Sequence, residues 1–228
     1  GINMNILNRQ IIDIPVARVK GIDELFGRML KINTADVPAK FRKVYDETKD
    51  IAYRQFTMQC LYASYAVESM DKESIRLENG VLLESDLLAD VFHDSVALGF
   101  IVVTLTGYDA IDATEENMLR KLFLDNWGTA FIECADKWAM QSIAMGLEKE
   151  GFFITHSFSP GQNDIPIQMQ TLIFETLHPE DMGVTLNEQF MMHPKKTVSG
   201  IFAIRTEKDG QSVRPCDLCE RRDTCPTA

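Results

Sequence analysis

The segment "ALGFIVVTLTG", residues 97–107, constrains the fold most strongly, because it is a nearly continuous run of apolar residues. Its length and composition are typical of a strand in the middle of a sheet. Other segments rich in strand-forming residues surround it along the chain, at residues 11–21, 58–67, 152–159 and 183–206. The sequence therefore predicts a sheet in which residues 97–107 form a central strand.

Helical segments lie irregularly between these strands. Apolar periodicity predicts helices over residues 22–33, 38–55 and 84–94, and Pro166 is a suitable start for a helix over 167–177. Asn79-Gly80 between β-prone runs predicts a hairpin. The mixture predicts a single α+β domain with a largely antiparallel sheet.

A long helix is predicted between residues 112 and 151. Asp112 and Glu115 have the spacing of a capping box at its start, and Gly151 is a typical end. An apolar stripe at helical spacing is interpreted as core packing: Leu119, Leu122, Phe123, Trp127, Phe131, Cys134 and Trp138. Cys60 in the 58–67 strand is interpreted in the same way, as a small core residue.

The charge of the chain excludes some classes of partner. Among 228 residues the formal net charge is −11, which argues against a nucleic-acid partner and against an anionic membrane surface. No apolar run approaches the length of a membrane span, and no signal peptide precedes the first strand. Five cysteines, an odd number, fit a reducing compartment better than a disulfide framework. We expect a cytoplasmic protein.

Familiar catalytic motifs are absent from the sequence. It contains no Gly-rich phosphate loop, no G-x-S-x-G motif and no H-E-x-x-H motif, and its four histidines are scattered. Local spacing therefore assembles no catalytic centre.

A polar tail, residues 207–228, follows the predicted domain over residues 1–206. It carries Cys216, Cys219 and Cys225 in a C-x2-C-x5-C spacing. Three thiolates of this kind suit zinc or an iron–sulfur cluster, with a fourth ligand from a distant side chain, a second chain or solvent. A reduced tail that holds no metal is the alternative interpretation.

The segment from residue 157 to residue 202 carries a resemblance to a known family. A Ser-Pro-Gly turn ends a strand, a helix follows, and "GVTLNEQFMMHPKKTVSGIF" comes after it. In this order the segments resemble the activation domain of cobalamin-dependent methionine synthase. The matching residues are Pro160, Gly161, Pro166, Leu186, Glu188, Phe190, Met192, Pro194, Val198, Ser199 and Gly200.

The resemblance implies a curved, twisted antiparallel sheet flanked by helices. It also implies a domain that binds S-adenosylmethionine and supports reductive methylation, or reactivation, of cobalamin on a corrinoid-binding methyltransferase protein. In that system the corrinoid's cobalt(I) occasionally oxidises to cobalt(II), and methyl transfer coupled to reduction restores it. Because this chain ends in its own tail, the resemblance implies a stand-alone component of the methyltransferase system.

The resemblance also implies which residues form the site. Thr129, Ser157, Ser159, Pro160, Gly161 and Gln162 are implied to bind S-adenosylmethionine. Glu188, Phe190, Met192 and His193 are implied to face the corrinoid or the partner.

Three of these positions depart from the family pattern. The family has an arginine at Ser157, an aromatic residue at Gln162 and an acidic residue at Thr129. These departures favour an alternative hypothesis, a corrinoid-protein docking module or an iron–sulfur electron-transfer module that has lost S-adenosylmethionine binding.

Overall fold

A seven-stranded antiparallel sheet forms the centre of the computed structural model, which describes residues 9–208. Its strands run in the order β4-β3-β2-β5-β9-β6, and β1 pairs with the first half of β2. The bounds are β1 Gln10–Ile14, β2 Thr57–Met70, β3 Ser74–Leu77, β4 Leu82–Glu84, β5 Ala97–Thr106, β6 Phe153–Ile154 and β9 Thr197–Arg205. The remaining two strands, β7 Thr185–Leu186 and β8 Met192–His193, form a separate hairpin.

Within residues 9–208, six α-helices surround the sheet. They are α1 Ile22–Leu30, α2 Ala39–Gln55, α3 Asp86–Val91, α4 Tyr108–Thr114, α5 Met118–Glu148 and α6 Met169–Leu177. Short 3-10 turns occur at Val16–Arg18 and Pro179–Met182. Within residues 9–208, no helix combines the length and the apolar character that crossing a membrane requires.

Strand β5 is central, as its apolar sequence predicts. It pairs with β2 over Ala97–Thr106 and with β9 on its other side. Ile101 and Val103 are buried in the core on one face, and Phe100 and Val102 are buried in the core on the other. Because alternate residues point to opposite faces, a strand covered on both faces needs apolar residues throughout.

The two faces of the sheet are covered by different helices. Helices α1, α2 and α5 pack on the first face, where the rings of Phe26 and Trp127 stack with centroids 3.8 Å apart. The Trp127 Nε1–H donates to Thr48 Oγ1 at 3.1 Å, which satisfies the buried indole. Helices α3 and α6 pack on the second face, which buries Phe92 and Ile173.

The predicted start of the long helix is wrong. Asp112 lies inside α4 and forms ion pairs with Lys121 and Lys195 at 3.1 and 3.0 Å. Helix α5 begins at Met118, and the side chain of Asn117 accepts a hydrogen bond from the N–H of Arg120 at 3.0 Å. An extended break at residues 115–117 separates the two helices, so the cap belongs to Asn117.

The apolar stripe of α5 is only partly a core stripe. Phe123, Trp127 and Phe131 are buried, but Leu119 and Leu122 are 39% and 46% exposed. The exposed leucines lie within the first five residues of α5, so the beginning of the helix contributes less to the core than its middle does.

Two predicted boundaries also shift. In the segment 152–159 only Phe153 and Ile154 form a regular strand, and helix α6 begins at Met169 rather than at residue 167. The hairpin predicted at Asn79-Gly80 is confirmed, because β3 and β4 pair on either side of it.

Candidate functional site

The segment that follows β6 runs along the edge of β9 with an irregular register. Ile154 pairs with Ile204, and Phe158 exchanges two backbone hydrogen bonds of 2.8 Å with Ile201. From Ile154 to Phe158 the chain advances by four residues, while β9 advances by only three, from Ile204 to Ile201. The extra residue is a bulge between Ile154 and Phe158.

Thr155 stabilises the bulge through hydrogen bonds of both its backbone and its side chain with Ala203. Its N–H donates to the carbonyl of Ala203 at 3.0 Å, and its Oγ1 accepts from the N–H of Ala203 at 2.9 Å. The hydroxyl thus replaces a backbone carbonyl where the strand is interrupted.

The loop beyond the bulge is closed by its own hydrogen bonds. The N–H of Gly161 donates to the carbonyl of Ile165 at 2.9 Å, and the N–H of Gln162 donates to the carbonyl of Ser159 at 3.2 Å. Pro160 is buried, whereas Gly161 and Gln162 are exposed. The N–H groups of Gly161 and Gln162 are therefore used within the loop.

Gly161 is required by the turn. Its φ is +86°, in the left-handed region, and a Cβ built there lies 3.1 Å from Ile167 Cδ1. A larger residue at this position is strained by its backbone conformation before any contact with a ligand is considered.

Two serines attach the loop to β9. Ser159 Oγ donates to the carbonyl of Ser199 at 2.6 Å. Ser157 lies against Gly200, because a Cβ built on Gly200 would be 1.8 Å from Ser157 Oγ. Ser157 therefore supplies a short side chain that packs on β9.

Strand β9 presents backbone groups along this edge. Ile201 directs its N–H and carbonyl toward Phe158, so Ser199 and Thr197 direct theirs to the same side by alternation. The hydroxyl of Ser199 points toward α6 and donates to Gln170 Oε1 at 2.8 Å. On the loop side the carbonyl of Ser199 accepts from Ser159 Oγ, and on the other side β9 pairs with β5.

Thr129 lies at the opposite end of this stretch of β9. Its Oγ1 accepts a hydrogen bond from Lys196 Nζ at 2.9 Å, and the same ammonium contacts Asp125 Oδ1 at 2.5 Å. Thr129 and the loop therefore flank the segment 196–200, whose four steps span about 13 Å in an extended strand. Lys196, Asp125 and the edge groups of Ser199 were missed in the sequence, where only the "HPKK" turn marked this region.

The four residues implied to face a partner lie on the β7–β8 hairpin. Glu188 and His193 are exposed, whereas Phe190 and Met192 are half-buried and Met192 packs against the second core. The exposed apolar residue of the hairpin tip is Met191, which is 59% exposed.

Asn187 stabilises the hairpin tip through its side chain and its backbone, whose N–H donates to the carbonyl of Met191 at 3.0 Å. Asn187 Oδ1 accepts from the N–H groups of Gln189 and Met191 at 2.9 and 3.0 Å. Phe190 adopts a φ of +61°, which is uncommon for an aromatic residue.

An acidic cleft lies on the other side of the loop. Its volume is about 820 Å³, and it is bordered by the β3–β4 hairpin, by α3 and by the loop at Asp164 and Pro166. Most of its polar lining is carboxylate, from Asp71, Glu73, Glu84, Asp86, Asp90 and Asp164.

The metal prediction falls outside the described part of the chain. Cys216, Cys219 and Cys225 all lie beyond residue 208. Among residues 9–208 there is no group of three or more His, Cys, Asp or Glu side chains placed to hold a metal ion. Cys60 and Cys134 are both buried, as expected of core residues, and burial raises the pKa of each thiol.

Comparison with known proteins gives a structural relationship. No protein-family model and no curated protein sequence matches the chain. Among solved structures, the chain is similar to the MetH reactivation domain bound to AdoHcy, with a TM-score of 0.67 over 90% of this chain and 81% of that one. The sequence identity is 12%, so the likeness shows the fold alone. The chain has the α+β fold of that domain, a curled antiparallel sheet with flanking helices.

Proposed function

We propose that this domain binds S-adenosylmethionine or S-adenosylhomocysteine beside β9 and supports reactivation of a corrinoid-binding methyltransferase protein. The observation that carries the proposal is the likeness of fold, over 90% of the chain, to a domain whose structure contains S-adenosylhomocysteine. The matching residues between 157 and 202 lie in the loop after β6, in the β7–β8 hairpin and in β9.

The residues of this region have defined roles in the proposal. The side chains of Ser157 and Gln162 supply neutral polar groups at the loop. Neutral donors replace the bidentate arginine of the family. This replacement weakens binding of a ligand carboxylate by a few kcal/mol, or about a hundredfold in Kd.

The chain's part in the reaction is to bind and orient the methyl donor. The cobalt of a corrinoid on the partner protein supplies the methyl-accepting chemistry. Glu188, Phe190, Met192 and His193, with the exposed Met191, are the proposed contact surface for that partner.

Calorimetric titration of the purified chain with S-adenosylmethionine and S-adenosylhomocysteine tests the proposal. We expect saturable one-to-one binding of both, weakened by Gly161→Val. Gly161→Asn is the matched control, because asparagine tolerates the left-handed conformation better than valine does and preserves the turn. An absence of heat at millimolar ligand, with the chain folded, would contradict the proposal.

A second candidate function is a docking module that no longer binds the methyl donor. Two contacts favour it, since Ser157 occupies the space over Gly200 and the ammonium of Lys196 lies on Thr129. Such a module forms a complex with a corrinoid protein and gives no heat with S-adenosylmethionine.

A docking module that also transfers electrons would need an iron–sulfur cluster at the tail cysteines. Zinc bound at the same cysteines would have a structural role instead. Anaerobic purification tests it, because a cluster gives a brown protein and zinc a colourless one. The colour must disappear when Cys216, Cys219 and Cys225 are all changed to Ser.

A further inference from the structure

A groove on the first face of the sheet lies between the β1–β2 pair and the last third of α5. Its volume is about 260 Å³, and its floor is apolar. Tyr62, Ile143 and Leu147 are buried in this floor, and Ile12 is half-buried. The hydroxyl of Tyr62 is hydrogen-bonded to Ser64 Oγ at 3.0 Å, so Tyr62 offers a ligand its aromatic ring.

The floor of the groove is held rigidly by the core beneath it. The rings of Tyr62 and Phe202 stack with centroids 6.0 Å apart and an interplanar angle of 15°. Ile143 and Leu147 are members of the first core. Because close-packed side chains resist collapse, the groove exists before a ligand arrives.

Neutral polar groups border the mouth of the groove. Gln10 and Ser142 line it and are both exposed. Ser142 Oγ donates to the carbonyl of Trp138 at 2.9 Å, so its oxygen can still accept a hydrogen bond from a ligand. The side-chain amide of Gln10 can donate or accept. A ligand with one N–H or O–H group therefore finds an acceptor at the mouth.

Gly146 keeps the groove open. Beyond its own helical turn, a Cβ built on Gly146 meets no atom within 4 Å, and its backbone is helical rather than left-handed. Neither packing nor backbone geometry requires a glycine here, although glycine stabilises a helix less than alanine does. What the glycine provides is space, because Gly146 lines the groove.

The lining indicates the class of ligand. Among residues 9–208, those that line the groove carry no charged side chain, although charged residues make up 25% of the chain. An ion would lose hydration in the groove without gaining a charged partner. A cavity of roughly 150 Å³ holds benzene. A volume of about 260 Å³ therefore suits a fused pair of rings.

We propose that the groove between β1 and α5 binds a neutral, planar ring compound that carries one N–H or O–H donor. The ring lies on Tyr62, Ile143 and Leu147, and the donor bonds at the mouth to Ser142 or Gln10. This site is separate from the loop and β9, so it does not depend on the proposed function.

An NMR titration of the methyl-labelled chain with indole tests the proposal. Indole is a neutral fused ring with one N–H, and we expect saturable binding with a Kd on the order of 0.1–1 mM. The methyl signals of Ile12, Ile143 and Leu147 should shift, whereas that of Ile173 in the second core should not. Indole-3-acetate and tryptamine add a charge to the same ring and should bind at least about tenfold more weakly.

Two variants at one position show where indole binds. Gly146→Leu fills the groove and should weaken binding at least about tenfold. Gly146→Ala is the matched control, because it adds only a methyl group and should keep the affinity within about threefold of wild type. Equal binding to wild type and Gly146→Leu, or no methyl shift in folded wild type at several millimolar indole, would refute the site.

Sedimentation of wild type and Gly146→Leu tests a competing occupant, a second copy of the chain. We expect both proteins to sediment in the same state of association. A concentration-dependent dimer of wild type that Gly146→Leu abolishes would place the second copy in the groove and overturn the proposal.

Discussion

Two glycines of the central sheet show how closely side chains cover the strands. A Cβ built on Gly99 in β5 would lie 2.1 Å from Cζ of Phe202, so the phenyl ring lies directly on the glycine. Gly200 in β9 is covered in the same way by Ser157. The contact of Phe202 with Gly99 is part of the core. The contact of Ser157 with Gly200 holds the start of the candidate loop against β9.

Gly200→Ala tests the second contact. We expect the added methyl group to destabilise the domain by about 1–3 kcal/mol, because Ser157 and the loop must move. Urea unfolding of Gly200→Ala, Ser157→Gly and the double variant gives the coupling free energy. Ser157→Gly should recover most of the loss, and strictly additive effects would show that Ser157 does not pack on Gly200.

Helix α5 is the element that contributes to both the core and the candidate site. Its 31 residues bury Trp127 and Phe131 against the sheet and present Asp125 and Thr129 to Lys196. Its start is set by the Asn117 cap. A displacement of this helix therefore moves one wall of the site relative to β9.

Asn117→Ala tests the cap. We expect a loss of about 1 kcal/mol in the free energy of unfolding, because the N–H of Arg120 loses its acceptor. Asn117→Ser retains an acceptor oxygen and should remain close to wild type in thermal and urea unfolding. Equal losses in the two variants would argue against capping as the cause.

Asp136 gives α5 a pH-dependent contribution to stability. Burial, assisted by the charge of Glu133, raises the pKa of the Asp136 carboxyl to about 7. Its folded pKa is above its unfolded value, so the folded state retains a proton that the unfolded state has lost. The resulting stabilisation is present at low pH and disappears as pH rises through about 7.

Asp136→Asn removes this titration. We expect it to raise the free energy of unfolding at pH 8 by on the order of 1–3 kcal/mol and to flatten the dependence between pH 5 and 8. Urea unfolding of both proteins across this range measures the difference. A variant that is less stable than wild type at pH 8 would contradict the expected sign.

At the scale of the whole molecule, one sheet connects two cores. Strands β2, β5 and β9 each bury residues on both faces, for example Cys60 with Leu61 and Phe202 with Ile201. Loss of packing on either face therefore weakens the same three strands.

Single-face variants test this connection. Ile173→Ala removes a buried side chain from the second core and should destabilise the domain by about 2–5 kcal/mol. In this variant, the urea midpoint measured by fluorescence of Trp127, which lies in the first core, should equal the midpoint measured by far-UV circular dichroism. Separate midpoints would show that the two faces unfold independently.

The sequence by itself determined the features that depend on nearby residues. The apolar run of β5 predicts its central place, Asn79-Gly80 predicts the β3–β4 hairpin, and both are confirmed. It also placed the turn Ser159-Pro160-Gly161 at the end of a strand. Where local signals competed, as at Asp112 and Asn117, the sequence pattern selected the wrong cap.

Only the tertiary structure decided what the candidate site contains. Ser159 meets Ser199 across 40 residues, and Lys196 meets Thr129 across 67. These contacts depend on the strand order β5-β9-β6 and on a one-residue bulge beside β9. Local sequence patterns set the conformation of short segments, whereas strand order and register follow from the free energy of packing the whole sheet against its helices.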